Sequence, residues 1–175
     1  MSQKKVGEHS MEMEQLERQR KKTSLQSMYF NRFLGIRYAI ALFFFTNLYW
    51  FVLTVGVAKL AAIIPLVLVV LLGFAGVEQV RLISQHRNQI PHAKRFFTAQ
   101  LVVNLGLLTI IFTPLFRQFY PFFANTNQAK LSVSILLLAG CLLCLLIVKR
   151  IKKIEVNADV HYQRIMAYQK IVEER

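Results

Sequence analysis

The sequence predicts an all-α, polytopic membrane protein: a four-transmembrane-helix bundle with cytoplasmic N-terminal and C-terminal helical extensions. Three observations predict it. Of the 175 residues 55% are hydrophobic, with a mean hydropathy of +0.40, although the net charge is +13. The apolar residues are segregated into four runs, each about as long as the roughly 18 residues that cross a hydrocarbon core. Finally, Lys and Arg alternate between rich and poor connecting segments, as expected of a chain threaded back and forth across a charged membrane.

The four runs are residues 38–56, 60–80, 96–116 and 131–148, and Glu78 is the single charged residue inside them. They divide the chain into a basic tail with a juxtamembrane helix (1–37), a transmembrane domain (38–148) and a cytoplasmic amphipathic helix (149–175). The first run follows a long charged segment and has no small-residue cleavage pattern, so an internal anchor is expected rather than a signal peptide. No lipidation motif is expected either. Counted by segment, the Lys and Arg residues number eight before span one, one between spans one and two, four in the middle loop, two in the next loop and seven in the tail. The alternate segments thus hold 19 against 3, which places both termini and the middle loop inside. The same bias accounts for a pI near 10.2 without nucleic acid as a partner.

Residues 1–22 place Glu8, Glu12, Glu14 and Glu17 ahead of Arg18, Arg20, Lys21 and Lys22, a polarity that suits a short helix dipole. The basic end can rest on an anionic inner leaflet at about 1 kcal/mol per charge. From Thr23 to Arg37, with Leu25, Met28, Tyr29 and Phe33 on one side, an interfacial helix is expected to lead into span one. Spans one and two are separated only by Val57, Ala58 and Lys59, which demands an antiparallel hairpin. Tyr49, Trp50 and Phe51 suit an aromatic belt at the outer interface. Pro65 falls in the first turns of span two, where its missing N–H costs least. Gly73 and Gly76, with Ala75 between, offer a thin surface for another helix.

Pro91 interrupts the middle loop before span three, and Pro114 marks that span's outer end. An aromatic loop of Phe116, Phe119, Tyr120, Phe122 and Phe123 then precedes a polar turn; Asn125-Thr126-Asn127 is not a glycosylation sequon. Beyond span four, Ile151, Ile154, Ala158, His161, Ile165, Tyr168 and Val172 recur at alternating spacings of three and four. That pattern reads as a candidate interaction helix, either a short heptad seam, a membrane-surface helix or a partner-binding helix.

Within the spans, Gln100 and Asn104 share one helical face, and Asn47 with Thr46 offers similar groups at mid-membrane depth. Buried amides are costly to leave unpaired in lipid, so this face must look inward or toward a partner. The structural reading is interhelical bonding; the functional one is a polar lining for a small substrate. Thr109 can bond a preceding backbone carbonyl. Glu78, as the sole intramembrane acid, is a candidate proton or cation site, with neutralisation by Arg81 as the plainer reading. Asn47, Glu78, Gln100 and Asn104 together form the candidate intramembrane polar site.

Cys141 and Cys144 make a Cys-x-x-Cys, which suggests a membrane thiol oxidoreductase. Such enzymes need a second cysteine pair for exchange, and the chain holds two cysteines in all. Cys141 also lies roughly 15 Å inside the span by helical rise. His9, His86, His92 and His161 are dispersed outside the spans and suggest no metal site. No phosphate loop, paired carboxylates or nucleophile signature is present, so no catalytic residue, cofactor or metal is expected.

The segments Tyr29-Phe30-Asn31-Arg32-Phe33, Arg37-Tyr38 and Phe43-Phe44-Phe45-Thr46-Asn47-Leu48-Tyr49-Trp50 resemble those of a group of small, largely uncharacterised four-span membrane proteins of Gram-positive bacteria. Some of these are labelled as related to the cellobiose phosphotransferase system. The resemblance implies a bacterial cytoplasmic-membrane location and covers about residues 28–50. Sugar-translocating subunits of that system are longer and depend on a phosphorylated His or Cys in a cytosolic domain, so no functional residue carries over.

The expected function is therefore a non-enzymatic membrane protein that packs with a second copy or a larger membrane partner. The alternative is a small transporter or accessory transport subunit, with Glu78, Gln100 and Asn104 along its path; a thiol oxidoreductase ranks last.

Overall fold

The computed structural model describes residues 2–85 and 89–173, and the side chains of 13, 15–82 and 89–170. His9, His86 and Val172, singled out from the sequence, have side chains outside the described residues. The described chain is all-α: α1 (Ser2–Val55), α2 (Ile63–Gln85), α3 (Pro91–Ile110), α4 (Phe116–Phe119), α5 (Asn127–Glu155) and α6 (Val160–Glu173).

Helix α1 is a single helix of 54 residues, about 80 Å at 1.5 Å per residue. The separate N-terminal and interfacial helices expected from the sequence are thus one element. No proline occurs before Pro65, and the charged stretch is rich in Glu, Gln, Lys and Arg, all good helix formers, so nothing local stops propagation. The helix ends where Val57 and Ala58 donate their N–H groups to the Thr54 carbonyl (3.1 and 2.8 Å). After this turn, α2 opens with Pro65 in its first turn, where the lost donor is harmless.

Helix α3 begins at Pro91, its N1 residue, and stops at Ile110. The expected span 96–116 is therefore displaced toward the N-terminus. Its stop has a local cause: the Thr113 N–H and hydroxyl both turn back to the Ile110 carbonyl (2.9 and 2.7 Å), and Pro114 follows. Helix α5 starts on a Thr126 N-cap whose hydroxyl accepts from Ala129 N–H at 3.2 Å. It ends at Glu155 because Asn157 adopts a left-handed conformation (φ 55°), a position Asn tolerates after a helix. Asp159 then caps α6 by accepting the Tyr162 N–H at 3.2 Å.

The tail beyond residue 149 is consequently not one amphipathic helix. Ile151 and Ile154 belong to α5, Ala158 to the turn, and Ile165 and Tyr168 to α6. Ile151, Ile154 and Ile165 are fully buried within the chain, Tyr168 is half-buried and Ala158 exposed, so the proposed seam is not an open stripe.

Among the described residues, three helical stretches are long and apolar enough to cross a membrane: Gln15–Val55, Ile63–Leu82 and Asn127–Lys170. The chain is an all-α membrane protein of the multi-pass type. Helix α3 falls outside that set, being shortened at Ile110 and carrying Lys94, Arg95, Gln100 and Asn104.

The chain divides into two compact units. One comprises Met1–Leu34 and Ala158–Arg175, the other Gly35–Asn157. In the first, Arg32 is fully buried and its Nε donates to both Asp159 oxygens (3.1 and 3.0 Å), with Tyr162 stacked 5.0 Å from the guanidinium. In the second, α3 packs against both α2 and α5. The N-terminal end of α3 holds the Phe43–Phe96–Phe97 cluster, with ring centroids 5.1–6.0 Å apart, and the Lys94–Glu155 ion pair at 2.7 Å. Its C-terminal end adjoins the cluster of Leu107, Ile111, Phe116, Tyr120, Val133 and Leu137.

Candidate functional site

A cleft of about 390 Å³ lies between α1, α3 and α5 in the second unit. Its floor is polar. Asn47 Nδ2 donates to the Phe43 carbonyl (2.8 Å) and to Gln100 Oε1 (2.9 Å), and Gln100 Nε2 donates to Asn104 Oδ1 (2.9 Å). All three amides are buried.

The direction of this chain of bonds is set at its first link. A backbone carbonyl can only accept, so Asn47 must present nitrogen to Phe43 and hence to Gln100, which must answer with oxygen. Gln100 then presents nitrogen to Asn104, which answers with oxygen. At one end Asn47 Oδ1 has no hydrogen-bond partner among the described residues, and at the other neither has Asn104 Nδ2. The Asn104 nitrogen sits only 2.7 Å from the point where a Cβ on Gly140 would stand, so glycine on α5 makes room for this amide.

The roof is aromatic. Trp50 donates its indole N–H to the Phe119 carbonyl at 2.9 Å and stacks on Tyr120 at 5.9 Å and 11°. Phe122 and Phe123 meet Tyr120 edge-on from the other side. Burial pushes the Tyr120 phenol above its ordinary value of 10, so it faces the cleft uncharged. Between floor and roof the walls are apolar, and the flank is formed by exposed Leu42, Leu53 and Leu136.

Of the four residues in the candidate polar site, the structure brings Asn47, Gln100 and Asn104 together. Glu78 is elsewhere. Its carboxylate accepts the His92 and Ala93 N–H groups (3.1 and 2.9 Å), capping from α2 the first turn of α3, which has no side-chain cap of its own. Ala93 is seven residues from Gln100, roughly 10 Å along α3. The acid thus serves a helix terminus and does not join the amides. Thr46 and Thr109 bond carbonyls of their own helices, Leu42 (2.8 Å) and Gly106 (2.7 Å).

Cys141 and Cys144 are both buried as free thiols. Among the described residues no group of three His, Cys, Asp or Glu side chains is gathered for a metal ion. The small-residue face on α2 is also not where the helices of this chain meet closely. A Cβ on Gly73 or Gly76 would touch nothing within 4 Å, whereas the close approaches occur at Gly140 and at Gly35, which faces Arg150 Nη1 at 3.1 Å.

Sequence reasoning missed Gly140, the contact of Trp50 with Tyr120, and the buried Gln79. Trp50 suggested an aromatic belt and Tyr120 belonged to a loop expected either to dip into headgroups or to cap the bundle, and no local signal paired the two; Gly140 lay one residue from the Cys-x-x-Cys and had no signal of its own. Compared with protein-family models, curated proteins and solved structures, the chain matches none of them.

Proposed function

We propose that the protein is a non-enzymatic four-span membrane protein that seats a membrane-partitioning amphiphile in the cleft between α1, α3 and α5. The observation that carries this reading is the one-directional amide chain ending in the unpartnered Asn104 Nδ2. An apolar cleft with a few convergent polar groups has the composition of a ligand site, and about 390 Å³ falls in the usual size range of roughly 300–1,000 Å³. The amide demands an acceptor, so the ligand carries a carbonyl, ether or phosphoryl oxygen on an apolar body.

Four crossings are favoured because α3, at 20 residues, is about 30 Å long and packs between α2 and α5. Two of its polar groups, Gln100 and Asn104, are paired rather than offered to lipid. The 19 of 22 basic residues in alternate segments favour both termini on the cytoplasmic side of a bacterial membrane. Transport, the activity suggested by the labels on some look-alikes, finds less support, since Glu78 is engaged roughly 10 Å away from the amides.

A second reading is a partner's transmembrane helix offering a backbone or hydroxyl oxygen to Asn104. The exposed flank of Leu42, Leu53 and Leu136 favours access from the side. Photolabelling of the full chain in vesicles with a diazirine-bearing fatty-acyl ester distinguishes the two. Labelling concentrated on Trp50, Tyr120 and Leu136, and lost in Gly140→Leu, is expected; labels spread evenly over the lipid-facing helices would sink the amphiphile reading. Intermolecular peptide crosslinks at Leu136 would favour the partner.

A further inference from the structure

Gln79 is 5% exposed, and neither its Nε2 nor its Oε1 has a hydrogen-bond partner. It lies in a second groove, of about 680 Å³, between α1 and α2. A buried amide without partners is costly in any apolar setting, and more so where lipid supplies no water. The groove around it has two different ends. Arg37 and Arg81 line one; Phe44, Phe45, Leu72 and Gly73 line the other. Among the described residues no carboxylate lines the groove. Along its floor Gly73 and Gly76 leave open space, with nothing within 4 Å of an added Cβ.

We propose that this groove holds one anionic phospholipid. Its phosphodiester sits at the Arg37 and Arg81 end, its glycerol-level oxygens face Gln79, and one acyl chain lies over Gly73 and Gly76 beside Phe44 and Phe45. Depth supports the assignment. Gln79 is two residues inboard of Arg81, about 3 Å by helical rise, which is where the glycerol ester oxygens follow a phosphate into a membrane. Its Nε2 can donate to an ester carbonyl, the acceptor found at that depth. Both guanidiniums also keep contacts within the chain; with five N–H donors each, they can serve a phosphate in addition. Charge decides against a second copy of the chain as the occupant. A two-fold contact through the same groove would bring four guanidiniums together, with no carboxylate among the described lining residues to separate them.

The test uses the full chain in neutral detergent, with native mass spectrometry in equal amounts of phosphatidylglycerol and phosphatidylcholine. One phosphatidylglycerol adduct should be retained in about five- to tenfold preference, because phosphatidylcholine carries the same phosphodiester but adds a choline cation beside the two guanidiniums. Gly76→Leu should abolish the adduct, since leucine fills space that is now open. Gln79→Leu should weaken retention of the adduct several-fold without lowering the protein's own melting temperature, because it removes an unsatisfied buried amide; it keeps the test decisive if the Gly76 variant folds poorly. Equal retention of both lipids, or an adduct that survives both substitutions, would overturn the assignment. So would full displacement by inorganic phosphate, which would place recognition on a free anion, or a dimer abolished by Gly76→Leu, which would place a second copy in the groove.

Discussion

The two grooves flanking α1 in the second unit contain the same chemical group in opposite conditions. On the α3 and α5 side, Asn47, Gln100 and Asn104 bond one another in series, leaving over only Asn47 Oδ1 at one end and Asn104 Nδ2 at the other among the described residues. On the α2 side, Gln79 is buried with both amide atoms unpartnered. The difference teaches what a buried amide is for. Where amides pair across helices they tie α1 to α3, and on the function proposed above the leftover donor would meet a ligand's acceptor. Where an amide has no partner in the chain, the chain is incomplete without something from the membrane. The Arg32–Asp159 pair in the other unit extends the first class to full charges.

The comparison can be broken most forcefully at that charge pair. Arg32→Met leaves Asp159 without its cation and should cost about 3–5 kcal/mol, as removal of one partner of a buried pair does. Hydrogen exchange should then rise across α6, and Arg32→Met with Asp159→Asn should recover part of the loss; unchanged exchange would show that the pair does not hold α6. Next, Gly140→Ala places a methyl 2.7 Å from Asn104 Nδ2. Overpacking should cost about 2 kcal/mol, read as a lower melting temperature in detergent. Gly73→Ala, where the added Cβ meets nothing, should change stability by no more than about 0.5 kcal/mol.

Gln100→Leu removes both bonds of the central amide. One crosses to α1 and the other stays within α3; an interhelical hydrogen bond in a membrane is worth about 0.6–1.7 kcal/mol, so with the second bond a loss of about 1–2 kcal/mol is expected. Loss well below that would mean the amides repair themselves with water. The smallest effect has the opposite sign: Gln79→Leu should leave stability in lipid-free detergent equal or raise it by up to about 1 kcal/mol. A clear destabilisation there would show that Gln79 is satisfied after all and would erase the contrast between the two grooves.

Much of the fold was legible because its causes are local. The apolar runs behind α1, α2 and α5, the proline at the first residue of α3, and the i, i+4 amides of α3 are all read within a few residues of sequence. Local patterning also misled. The three-and-four spacing from Ile151 onward has the period of one helix, but Asn157 at φ 55° and the cap at Asp159 break it. A polar Asn-Ala-Asp before a periodic run is a stop-and-start signal, and it was outweighed by the apolar spacing on either side.

What the sequence by itself determined is the class of the protein: an all-α membrane chain whose charges are sorted by segment and whose polar spans need partners. It could not determine which partners. Asn47 meets Gln100 across 53 positions and Arg32 meets Asp159 across 127, and no periodicity reports on pairs so far apart. Glu78 caps α3 from 14 and 15 positions away, which no local pattern announced; Gly73 and Gly76 looked like the close contact, yet Gly140 and Gly35 are. Local sequence sets the propensities and faces of helices. Which faces meet, and which buried amide is left waiting, depends on how all the helices are packed at once.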